Sequence, residues 1–218
     1  MASPQSIFLV FGATGRTGRH FVDLALKDGH QVRALVRNPE KITVQKPNLT
    51  LFQGSIADYA KLDELLAGVD FVAMMVGDAH LQSQAKVNAE FMRRLVPALR
   101  RQGVKRLLYQ AGGFTNPYQG RIPLLARILK NTLARRNGLL GQHRDNQAVI
   151  EYLVETAPDI EWMVHRAAII SDGPSRGTLA RSKKRSGLAT FGDCAAYNFS
   201  LLRDETAIHT YDLSHYAT

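Results

Sequence analysis

A single cysteine, Cys194, stands in 218 residues, so no disulfide forms within the chain. That composition suits a reducing compartment, and a cytoplasmic location is the expectation. Long apolar runs are also missing. Ile7 to Phe11 and Val69 to Val76, the latter interrupted by Asp70, fall far short of the ~18 residues that cross a bilayer. Met1 to Ser6 carry no basic residue, so this stretch does not read as a signal peptide. No histidine, cysteine and carboxylate spacing suits a metal ion, and none is expected. Acidic residues are absent between Glu90 and Asp145, a stretch that holds Arg93, Arg94, Arg100, Arg101, Lys105, Arg106 and several more cations. With 28 Lys plus Arg against 19 Asp plus Glu, the net charge of +9 favours an anionic ligand or surface without choosing one. The basic stretches show no nucleic-acid reading motif and little aromatic interleaving, so nucleic acid is not an expected partner.

What is present is a rhythm. Ile7 to Phe11 reads as a strand buried on both faces, followed by glycines and a helix over 16–28. Strands follow at Gln31 to Val36, Leu49 to Gln53 and Phe71 to Val76, with a short helix at Lys61 to Leu66. One long helix is predicted from Ala79 to Gln102, closing at Gly103, then a strand at Lys105 to Gln110. This alternation predicts an α/β doubly wound parallel sheet, the Rossmann fold, in a single domain over 1–218. Past Gly113 the rhythm loosens, and 112–140 is expected to form a lid built on the amphipathic stretch Ile122 to Arg136. Gln142 to Thr156 reads as a helix and Ile160 to Val164 as the sixth strand. Residues 171–218 are expected to form a small substrate-covering region, irregular from Ser171 to Phe199, with a last strand at Ala207 to Thr210 and a helix beginning at Tyr211.

Gly12-Ala13-Thr14-Gly15-Arg16-Thr17-Gly18 sits between the first strand and the first helix. In that context the first glycine permits a tight turn, the second admits a pyrophosphate, and the third lets helix pack on strand, while the helix N-terminus offers amides to phosphate. The second strand ends in Val36-Arg37-Asn38 with no carboxylate before Glu40. A carboxylate there would bond a ribose 2′-hydroxyl, whereas the Arg37 fork, helped by Arg16, suits a 2′-phosphate. NADP(H) is therefore the expected cofactor.

The glycine motif, Leu35 to Lys41, Gln53-Gly54-Ser55-Ile56-Ala57-Asp58, and Asp159 to Arg166 followed by Asp172-Gly173-Pro174 together resemble the atypical short-chain dehydrogenase/reductases, in particular the NmrA-like and biliverdin/flavin reductase-like group. The resemblance implies that Ser55, Ile56 and Asp58 flank an adenine and that Val76 and Gly77 meet a ribose. It further implies that Gln110, Ala111 and Gly112 lie at the nicotinamide ribose, and that Arg166, Ala167, Ala168 and Ile169 line the nicotinamide.

Two features depart from typical short-chain dehydrogenases. No tyrosine is followed by a lysine four residues on, and Ala111-Gly112-Gly113 stands where relatives often carry a serine. His143, at a position where flavin-reductase-like relatives carry a histidine, is the leading candidate for proton donation, with Tyr109 a second. The expected function is NADPH-dependent reduction of a planar conjugated small molecule (a flavin, a quinone or an aromatic polyketide), because such acceptors spread the charge left by hydride and need only a weak acid. The alternative is a non-catalytic NADP(H)-sensing regulator that acts through a protein partner, as the NmrA-like resemblance allows.

Overall fold

The computed structural model describes residues 5–42, 46–124, 127, 140–167 and 169–217. Its central feature follows from β1 (Ile7–Phe11), in which every residue from Phe8 to Phe11 is fully buried. A strand apolar on both faces must lie inside a sheet covered on both sides. Leu9 and Phe11 accordingly face one core, with Met74, Phe91 and Leu95, and Phe8 and Val10 face the other, with Phe21, Ala34 and Phe199.

On one side of β1 lie β2 (Gln31–Val36) and β3 (Leu49–Gln53). On the other lie β4 (Phe71–Met74), β5 (Arg106–Gly112) and β6 (Glu161–Ala167). All these pairings are parallel, with Phe8 opposite both Val32 and Phe71. The strand order therefore reverses direction between β1 and β4, and in open α/β sheets that is where a crevice opens at the strand ends. The helix α1 (Arg16–Lys27) covers the Phe8 face, and α2 (Leu62–Leu66) lies on the Leu9 face.

The long helix expected over 79–102 is two helices, α3 (Ala79–Gln84) and α4 (Val87–Gln102). Ala85 is extended between them, at φ −148° and ψ 158°. The cause is a carboxylate distant in sequence. Buried Asp145, in α5 (Leu140–Thr156), accepts the backbone amides of Asn88 and Ala89 at 3.0 and 2.9 Å, so it caps a fresh helix start.

The C-terminal part also departs from expectation. A buried helix, α6 (Phe191–Leu201), replaces the end of the segment read as irregular; Thr190 caps it by accepting from the amide of Asp193 at 3.1 Å. It packs on α1, and Phe199 lies against Phe8 and Phe21, with ring centroids 5.5 and 5.6 Å away. The final strand is β10 (Thr210–Tyr216), where a helix was expected from Tyr211. It adds in parallel to β6, and β8 (Leu179–Ser182) pairs antiparallel to it at the sheet edge. The short strands β7 (Ile170–Ser171) and β9 (Ala189–Thr190) pair separately. Most of the amphipathic stretch Ile122 to Arg136, on which the expected lid was built, lies outside the described residues, at 125–126 and 128–136. No helix among the described residues is long and apolar enough to cross a membrane.

Candidate functional site

The turn after β1 is shaped by close backbone approach. Gly12 adopts φ +85°, and a Cβ there would sit 2.6 Å from the Met75 carbonyl oxygen. The Gly15 amide donates to the Gly12 carbonyl at 2.9 Å, and a Cβ on Gly18 would run into that same carbonyl. Every other residue type is thereby excluded at Gly12 and Gly18. Gly15 is the N-cap of α1 and supplies no side-chain cap, and the first turn holds no acidic residue. The first-turn amides of α1 are thus presented to whatever lies in front of them, and Arg16 and Thr17 both line a cavity of about 240 Å³ there.

That cavity is walled by Gly15, Val76, Gly77, Gln110, Ala111, Gly112 and Ala167, all expected from the sequence. It also takes in Met75, Gln142, Asn146, Ile170 and Phe191, which sequence reasoning missed. A second cleft runs from the turn toward β2 and β3 and collects Gly12, Thr14, Arg37, Ser55 and Ile56, again with Val76. The two arginines read as partners line different spaces. Arg37 stands 3.3 Å from Asp78 in the second cleft, while the Arg16 guanidinium lies 4.3 Å from the Phe191 ring centroid and 3.7 Å from Asp172. Asp78 carries a signal that was available, since an aspartate directly before a helix start is a capping residue, and it does accept from the Leu81 amide. Phe191 could not be read because its segment looked irregular.

Other expected residues lie outside both spaces. Asp58 is exposed on the loop after β3, and Ile169 is 50% exposed. Arg166 is buried and bonds the carbonyls of Tyr211 and Thr115 at 2.7 and 3.0 Å, so it ties β6 to its surroundings. Ala168 is outside the described residues. Tyr109 is wholly buried, with its hydroxyl between Asn88 and Asn146, and burial drives its phenol far above the ordinary range. His143 faces an adjoining cleft with Lys86, Asn116 and Gln147; a Cβ on Gly112 would be 3.5 Å from its Cε1. Its ring meets Phe114 edge-on at 6.1 Å between centroids.

A buried polar chain fixes one wall of the cavity. Ser214 and His165 meet at 2.8 Å, His165 Nδ1 and Asn198 Oδ1 at 2.7 Å, Asn198 Nδ2 donates to Gln110 Oε1 at 2.6 Å, and Gln110 Nε2 reaches Thr17 Oγ1 at 3.4 Å. With its oxygen engaged by Asn198, Gln110 turns its amide nitrogen toward the glycine turn. Burial lowers the His165 pKa from 6.5 to about 4, and the Asn198 hydrogen bond opposes that shift only in part. Because the folded value is depressed, the unfolded chain binds the extra proton first as pH falls. This contribution to stability is complete above pH 6.5 and is lost progressively down to about pH 4, amounting to about 3 kcal/mol. Denaturant midpoints measured from pH 7 to 4 should therefore fall more steeply for the wild type than for His165→Gln; parallel curves would sink the assignment.

Residues 12–204 match the family model described as NAD(P)H-binding. Over 116 residues the chain is 35% identical to the isoflavone reductase homolog IRL of Zea mays, which covers 49% of this chain and 35% of that protein. Over 72 residues it is 42% identical to a (4-alkanoyl-5-oxo-2,5-dihydrofuran-3-yl)methyl phosphate reductase of Streptomyces griseus, covering 33% of this chain and 25% of that one. The chain thus spans between a quarter and about a third of the length of these curated relatives. Among solved structures, the fold is similar to that of a putative epimerase from Bacteroides thetaiotaomicron, with TM-score 0.81 at 18% identity over 98% of both chains. An anaerobillin reductase from Escherichia coli O157:H7 superposes with TM-score 0.74 at 16% identity over 96% of both. With the family match running from the first glycine of the turn to Asp204, just past α6, the chain belongs to the NAD(P)H-binding family.

Proposed function

We propose that this chain is an NADPH-dependent reductase of a planar conjugated small molecule such as a flavin, a quinone or an aromatic polyketide. The observation that carries the reading is the pairing of the two spaces around one glycine turn: a cleft holding Arg37 and Ser55 at one end, and a cavity lined by amide side chains and an aromatic ring at the other. The backbone cradle fits a dinucleotide, because Gly15 lines the cavity without a side chain and the α1 amides face it without a capping side chain. When bound, NADPH supplies the hydride.

The protein's own residues do the rest. Arg37 and Ser55 would hold the adenosine end, with the Arg37 fork on a 2′-phosphate. Thr17 and the first-turn amides of α1 would take the pyrophosphate, and Gln110 and Gly112 the nicotinamide ribose. Phe191, with the Arg16 guanidinium over its ring, gives that end of the cavity an aromatic and cationic wall for a conjugated substrate. The names of the matched relatives, an isoflavone reductase homolog and a furan phosphate reductase, support reduction of a conjugated compound as the reaction class.

His143→Ala should lower turnover by roughly tenfold, about 1.4 kcal/mol, because an acceptor that spreads its own charge gains little from an acid. NADPH affinity should be nearly unchanged. A fall beyond a thousandfold with intact cofactor binding would instead point to an isolated carbonyl substrate. The reading as a whole is tested by following nicotinamide absorbance with purified protein and flavins, quinones or hydroxyanthraquinones. Tight NADPH binding without oxidation by any of them overturns it and favours the redox-sensing alternative.

A further inference from the structure

We propose that Asn146 is the hydrogen-bond donor that grips a carbonyl oxygen of the substrate, with Tyr109 and Asn88 acting through it as positioning residues. The proposal rests on the reductase reading above and identifies the group that meets the substrate.

The argument is one of hydrogen-bond direction. Asn88 Nδ2 lies 3.1 Å from the Val76 carbonyl oxygen, which can only accept. That fixes which end of the Asn88 amide is nitrogen. The second N–H on the same nitrogen goes to Tyr109 Oη at 3.0 Å. A tyrosine hydroxyl owns one proton, and here it passes to Asn146 Oδ1 at 2.6 Å. The Asn146 oxygen is thereby committed as an acceptor inside the core. Its Nδ2, with two N–H donors, is left facing the Gly112 wall of the cavity, where a Cβ on Gly112 would be 3.7 Å away.

The chain begins at a rigid place. Asn88 is fully buried, and its own amide is accepted by the Asp145 carboxylate at 3.0 Å. Asp145 also holds Gln82 at 2.8 Å and Ala89 at 2.9 Å, so the start of α4 is pinned to α5 directly beside Asn146. Asn146 itself is 2% exposed and lines the cavity, so that wall is where a ligand can meet its N–H donors. A ligand that does so must present an acceptor, and a quinone or keto oxygen is the acceptor a conjugated substrate carries. A preorganised donor at that oxygen strengthens as charge builds there during reduction. This relay also gives buried Tyr109 a role at the site that does not require its proton to reach substrate.

The test uses the full chain and three proteins: wild type, Asn146→Asp and Tyr109→Phe. Asn146→Asp keeps the shape and the acceptor for Tyr109 but replaces the donor with an oxygen. Tyr109→Phe leaves the cavity wall in place and removes only the lock on the Asn146 amide. Thermal melts and NADPH titrations establish that each variant folds and binds cofactor. The expected result is a fall in kcat of roughly 10- to 100-fold for Asn146→Asp, at or below the usual range for losing one such donor because the acceptor delocalises its charge. A smaller fall is expected for Tyr109→Phe.

The second readout does not depend on turnover. A hydroxyanthraquinone bound to the NADP⁺ complex should show its carbonyl stretch lowered in wild type, restored toward the free value in Asn146→Asp, and intermediate in Tyr109→Phe. A carbonyl stretch and kcat that are the same in wild type and Asn146→Asp overturn the proposal. Absence of turnover in the wild type, with the carbonyl shift present and lost in Asn146→Asp, overturns the reductase reading while upholding the donor.

Discussion

Gly15→Val is expected to abolish binding of the nicotinamide cofactor, a loss of about a hundredfold or more in affinity and so about 3 kcal/mol. Gly15 differs from its two neighbours in the motif. Its backbone angles, φ −72° and ψ 165°, suit any residue, and a Cβ would stand 3.1 Å from the Gly12 carbonyl oxygen, a tight approach relieved by a shift of a few tenths of an ångström. The fold should therefore survive. What does not survive is the space in front of α1, because Gly15 lines the cavity and two valine methyl groups would project where a pyrophosphate must meet the helix amides. Titration by nicotinamide fluorescence, with a thermal melt as the folding control, measures this. Unchanged affinity in a folded variant would remove the glycine turn from the binding site.

Arg37→Ala should weaken NADP(H) by about tenfold while leaving NAD(H) nearly unchanged. Charge-assisted hydrogen bonds contribute roughly 1.5 to 3 kcal/mol, which spans tenfold to over a hundredfold. The lower end applies here for two structural reasons. The Arg37 side chain is 61% exposed, so solvent screens it, and its Nη1 already lies 3.3 Å from the Asp78 carboxylate, which would also face a bound 2′-phosphate. Removal of that carboxylate by Asp78→Asn should shift preference in the opposite sense, toward NADP(H). Parallel titrations of both cofactors decide the matter, and equal losses for both in Arg37→Ala would show that the guanidinium does not read the 2′ position.

The half of the site built on local sequence was legible because its chemistry is local. A buried strand, three glycines at set spacing and a helix start occupy residues 7 to 27, and Gly18 is required by the Gly12 carbonyl within the same turn. Arg37 could be read likewise from its place at the end of the second strand, whereas Ser55, at the end of the third, was implied by the family resemblance. The other half was read less well. Tyr109 looked like a proton donor because it closes a strand near the site, yet the alternation of that strand turns it into the core. Gln142 and Asn146 were missed because the fold alone brings α5 to the cavity wall, and Phe191 because its helix is buried nearly all round and lacks the periodic stripe that marks a surface helix.

By itself the sequence determined the doubly wound sheet, the glycine cradle and the preference for an anionic dinucleotide. These follow from hydrophobic period, backbone freedom and charge, which act over a few residues. Only the tertiary structure decided where the helix over 79–102 breaks, since the Asp145 carboxylate that caps the second half arrives from 57 residues away. Likewise only packing decided that β10 completes the sheet beside β6, where Ser214 meets the buried His165. It was packing, too, that set which amide nitrogens face the cavity. The direction of a buried hydrogen bond depends on the groups at both ends of its chain, and those groups are brought together only once the two cores have formed.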